Sequence, residues 1–147
     1  MSPFAFLAQA SSTDSTVPEE SIDPVTFALA KAGTLLVDLA DQAMKLALFL
    51  AEEERGRSLA ASLSRRAELG RQTGRKLVLF ADPRGDSAMT QVNDAILALD
   101  GIAVDVEYTT EIAGDVRVKN QIARARLAVT TTGSAIDDAR QAISASA

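Results

Sequence analysis

Three short stretches hold the residue types most able to do chemistry. They are Asp82, Arg84 and Asp86 in ADPRGDS, Thr109, Thr110 and Glu111 in TTEIAG, and Thr131, Thr132 and Ser134 in TTTGS. Brought together at one sheet edge, two carboxylates and several hydroxyls could coordinate Mg²⁺ or orient a phosphate. Gly133-Ser134 opening a helix would add backbone N–H groups for an anion. Each group also has a plainer role: Asp86, Ser87 and Ser134 suit helix caps, and Pro83-Arg84-Gly85 suits a turn. No GxxxxGK[ST] or GxGxxG pattern accompanies them, and none of the three stretches contains lysine. The plainer roles carry more weight, and Asp82, Asp86, Thr131, Thr132 and Ser134 stand as ligand contacts only in an alternative reading.

Composition narrows the chemistry further. The 147 residues include no cysteine, which removes disulfides, zinc–thiolate sites, iron–sulfur clusters and thiol nucleophiles. They include no histidine either, so the commonest general base and metal ligand is missing. Carboxylates, hydroxyls, Lys and Arg remain, but an enzyme is not expected, nor is a metal or cofactor. The formal charge of −5 gives no general attraction to nucleic acid or an anionic membrane. That charge is unevenly spread. Residues 55–76 carry Arg55, Arg57, Arg65, Arg66, Arg71, Arg75 and Lys76 against Glu68 alone. Arg65, Arg66, Arg71 and Arg75 could grip phosphates, yet no aromatic residue is interleaved for base stacking. A solvated face meeting acidic segments is the simpler account, and nucleic acid is not an expected partner.

The elements that must position these groups begin at SIDPVTF. Asp23 reads as an N-cap, Pro24 as the first helical residue, and Ile22 with Phe27 as a hydrophobic staple. Val25, Leu29, Ala32, Leu36, Leu39, Ala43, Leu46 and Leu50 then alternate at +4 and +3, a seven-residue repeat. The spacing predicts a helix over 24–55, roughly 45–50 Å long. That is more than a small domain covers, so Val25, Leu29, Leu36, Leu39, Leu46 and Leu50 are expected at an interface with a second copy or another subunit. RSLAASLSRRAEL predicts a shorter basic helix over 57–70, closed by Gly70 or Gly74.

From residue 73 onward the pattern reads as α/β. RKLVLFAD resembles a strand covered on both faces, GIAVDVEYTT a half-buried strand, and ARLAVTTTG a third. SAMTQVNDAILAL and SAIDDARQAISAS read as helices, while 113–124 fits a helix or a strand. The expectation is therefore an α/β or α+β chain in three parts: a polar arm over 1–22, helices over 23–72, and a small three-stranded βαβ-type sheet with flanking helices over 73–147. Ala8-Gln9-Ala10 has the small-x-small form of a signal-peptidase site, but the apolar run before it is short and lacks a basic lead. A cytoplasmic or virion location is expected, a periplasmic one if those residues are the remnant of a signal. No run is long enough to span a membrane. The expected role is a non-enzymatic structural or assembly protein of a virion or of a secretion or conjugation apparatus. The alternatives are a small-ligand or phosphate-binding α/β module and a nucleic-acid accessory protein acting through 55–76.

Overall fold

A computed structural model describes residues 23–112 and 114–146. The polar arm, Ile22 of the staple and the Ala8-Gln9-Ala10 site lie outside them. Four helices follow in order: α1 over Pro24–Leu50, α2 over Arg57–Leu79, α3 over Gly85–Thr109 and α4 over Val116–Ser146, with a 3₁₀ turn at Glu54–Gly56. Each helix packs on its chain neighbour, and α4 returns to pack on α1. Short connections make successive helices antiparallel, so the fold is an up-down-up-down four-helix bundle.

The start of α1 forms as its sequence dictates. The Asp23 carboxylate accepts the backbone N–H groups of Val25 (2.7 Å) and Thr26 (3.2 Å), satisfying two donors that the first turn leaves free. The apolar repeat then runs down the inner face of α1, and all eight of its residues are buried at 0–4% exposure. One core joins that seam to Leu63 and Leu77 of α2, Val92 and Ile102 of α3, and Ile122 and Ile136 of α4. A fully buried Leu such as Leu36 or Leu39 stabilises the fold by about 2 kcal/mol.

This bundle corrects several expectations. No strand occurs among the described residues, which form a helical bundle rather than an α/β or α+β fold with a three-stranded sheet. Residues 77–79 form the last turn of α2, where Leu77 is buried while Val78, Leu79 and Phe80 are exposed. One inward residue among four is what a helix end requires, not a strand covered on both faces. In GIAVDVEYTT the buried residues are Ile102, Asp105, Val106 and Thr109, whereas Val104 and Tyr108 face outward. That spacing of +3, +1 and +3 is helical; the apparent alternation arose from two exposed apolar residues. ARLAVTTTG lies in the middle of α4, where the Thr130 and Thr131 hydroxyls donate to carbonyls one turn back. Residues 116–124 are helix.

The basic helix continues through Gly70 and Gly74 to Leu79, so the expected boundary at 72/73 falls within α2. The two glycines serve close packing instead of ending the helix. The interface assigned to Val25, Leu29, Leu36, Leu39, Leu46 and Leu50 is corrected too, because α2 and α4 cover those residues within the chain. The coverage was underestimated because the residues assigned to a sheet form helices of 25 and 31 residues, against 27 in α1.

Candidate interaction faces

The bundle does not gather the three hydroxyl- and carboxylate-bearing stretches. Asp82 and Asp86 lie at the turn entering α3, while Thr109, Thr110 and Glu111 lie at its far end, about 35 Å away along a helix of 25 residues. Thr131, Thr132 and Ser134 sit in the middle of α4. The turn at Pro83-Arg84-Gly85 shares a hollow with Ile143 and Ser146, roughly 18 Å along α4 from Thr131.

At that turn Asp82 is already occupied. Arg84 donates to its two carboxylate oxygens from Nε (2.9 Å) and Nη2 (3.0 Å), and the Arg84 backbone N–H donates as well (3.1 Å). Gln91 clasps the backbone of the same residue, accepting from its N–H and donating to its carbonyl. These bonds to Arg84 hold the Asp82 carboxyl well below the usual carboxylate range. The loop is thus a braced turn, and Gly85 supplies the positive φ of +28° that it needs.

Mid-bundle, Thr131 and Thr132 line an open groove of about 660 Å³ along α1 and α4, together with Leu35, Met44, Leu48, Leu127 and Arg71. Several of its polar groups are committed, while Asp38, Lys45 and Arg124 line it without an ion pair among the described residues. Thr132 donates to the Leu35 carbonyl, and Arg71 reaches Asp41 at 2.7 Å and Glu68 at 3.3 Å. Among the described residues, every buried side-chain polar atom has a partner, and no group of three or more acidic residues could hold a metal ion.

The four candidate phosphate contacts part company. Arg66 lies across Gly101 to reach the buried Asp105 at 3.1 Å, and Ser62 donates to the same carboxylate at 2.7 Å. Arg71 is tied to α1 as described. Only Arg65 and Arg75 stand exposed with no ion pair among the described residues.

Other pairs close the bundle. Arg117 bridges Asp115 and Glu52 and stacks over Phe49, 5.2 Å from the ring centre, joining the start of α4 to the end of α1. Arg126 forms a two-pronged contact with Glu107 (2.7 and 2.8 Å), joining α4 to α3. Hydrogen bonding to these arginines lowers the pKa of Asp115 and of Glu107.

What remains is two outer faces of opposite character. α2 carries six cations against Glu68, and α3 carries five carboxylates with no Lys or Arg. Only Arg66–Asp105 joins the two helices by charge. Leu69 and Leu79 stand exposed on α2; Leu97, Val104 and Tyr108 stand exposed on α3, at 71%, 50% and 57%. Residues 97, 101, 104 and 108 follow a +4, +3, +4 rhythm and so form one stripe. The readable signal for this face was the run from Gly85 to Val116, which holds seven acidic residues and no cation. No helix among the described residues is long and apolar enough to cross a membrane. The chain matches no known family model, and neither a curated protein nor a solved structure is significantly similar to it.

Proposed function

We propose that the protein is a non-enzymatic assembly component: a rigid four-helix block that acts by presenting outer helix faces to other protein surfaces. The observation that carries this reading is the α3 face, where Leu97, Val104 and Tyr108 form an exposed stripe, crossed at Gly101 by Arg66 of α2, on a helix whose own charged residues are all acidic. A contiguous exposed apolar patch rimmed by polar residues is the form a docking surface takes. The engagement of Asp82, Arg71, Thr132 and Asp105 in holding the fold supports the same reading, since these groups are not left over for a small ligand.

The test is the native size of the protein in its source cells, measured by size-exclusion chromatography at physiological salt with antibody detection. Elution well above the 15.5 kDa expected of the free chain supports an assembly role. Elution as a free chain, together with a thermal shift on adding Mg²⁺ and nucleotide or inorganic phosphate, overturns it in favour of a ligand-binding protein.

A further inference from the structure

We infer that the partner on the α3 face is the α2 face of a second copy of this chain, in a head-to-tail contact. The inference rests on the assembly reading above and names its partner. Three observations select this occupant. The first is charge: the exposed cations of α2 find few partners among the described residues, and the exposed carboxylates of α3 are opposite to them in sign. A second α3 face would set carboxylate against carboxylate, so a symmetric α3–α3 contact is disfavoured.

The second observation is apolar content. Each face carries large side chains in water, Leu69 (57%) and Leu79 (68%) on α2, and Leu97 and Tyr108 on α3. The third is register. Leu69 and Leu79 are separated by ten residues and Leu97 and Tyr108 by eleven, which are rises of about 15 and 16 Å. Laid antiparallel, Leu69 meets Tyr108 and Leu79 meets Leu97. The same register brings Lys76 beside Asp100, and Arg65 beside Glu111 just beyond the end of α3. The apolar pairs supply burial and the flanking charges select the direction. Because the two surfaces differ, each bound copy keeps one free face. The contact therefore propagates into a ring or an open filament instead of ending at a dimer.

The experiment uses the full chain and two charge-reversal variants at exposed positions, with circular dichroism and melting temperature confirming that each folds. One variant carries Arg65→Glu and Lys76→Glu, the other Asp100→Lys and Glu111→Lys. In sedimentation velocity the native chain should form species larger than a dimer as concentration rises, and less so at high salt. Each variant alone should associate about tenfold or more weakly. Mixed one to one, the two should again form species larger than a dimer, since the intact α2 of one meets the intact α3 of the other and the two reversed faces carry opposite charges at the same paired positions, 65 with 111 and 76 with 100. A native chain that stays monomeric to roughly 1 mM overturns the inference; the assembly reading would then require a different chain as partner, and the native-size measurement judges it separately. Variants that assemble like the native chain, or a mixture that assembles no better than either variant alone, also overturn it.

Discussion

Gly33 of α1 and Gly74 of α2 each occupy the place where the other's Cβ would stand. A Cβ on Gly33 would lie 2.5 Å from the Gly74 carbonyl oxygen, and one on Gly74 would lie 2.7 Å from that of Gly33. The backbones of the two helices touch there, and only hydrogen side chains permit it. Gly74→Ala should therefore destabilise the protein by about 1–3 kcal/mol despite the better helix propensity of alanine. Gly133→Ala is the contrasting case, because its Cβ would meet only Leu99 Cδ2 at an ordinary 3.7 Å. That change should stabilise by up to about 1 kcal/mol. Urea denaturation of the two variants checks both signs, and a stabilised Gly74→Ala would show that the crossing is looser than described.

The long seam of α1 belongs to the core, and substitutions there should report on folding. Leu39→Ala should cost about 2–5 kcal/mol, since it opens a cavity at a fully buried site. Leu48→Ala, at a position 64% exposed, should change stability by under about 0.5 kcal/mol. Leu39→Asp should unfold the chain, not release a folded monomer, and near-ultraviolet circular dichroism separates the two results.

Asp105 is a buried carboxylate held by Ser62 and Arg66. Asp105→Ala strands the Ser62 hydroxyl and frees Arg66 from Gly101, and should cost about 1–3 kcal/mol. Arg66→Ala should cost less, since that side chain is half exposed and the carboxylate keeps its bond to Ser62. A double-mutant cycle on Ser62 and Asp105 measures the coupling; no coupling would mean the hydrogen bond contributes nothing net.

Acid should weaken the bundle through Asp82, Glu107 and Asp115. Arginine partners lower the folded-state pKa of each below its unfolded value, so the native chain binds fewer protons than the unfolded one. Their contribution is complete above the ordinary carboxylate range near 4 and is lost as pH falls through the lowered values. Melting temperature should decline below about pH 4. Glu107→Gln should flatten part of that decline while leaving the profile above pH 5 parallel to the native one. An unchanged acid slope in the variant would show that the Glu107–Arg126 pair is not linked to folding.

The amino-acid sequence alone determined where α1 starts and which face it turns inward, though the helix ends at Leu50 and not at residue 55. Asp23, Pro24 and the +4/+3 spacing from Val25 to Leu50 suffice, because capping and periodicity are local properties that the rest of the chain does not need to supply. The cationic character of α2 and the lack of Cys and His were equally plain, since they depend on residue type alone. What tertiary structure decided was the second half of the chain. Val104, Tyr108 and Phe80 favour strands by type, and a strand reading treats them and Leu79 as buried. They are exposed because the bundle turns Ile102, Asp105, Val106 and Thr109 inward, and Asp105 can go inward only because Arg66 and Ser62 of α2 wait there. Gly74 follows the same logic: it reads as a helix end until Gly33 of another helix comes to rest against it. Burial and close approach are properties of pairs of helices, so no window along one helix contains them. The exposed apolar residues of α2 and α3 became visible only once the bundle had set which face of each helix turns inward.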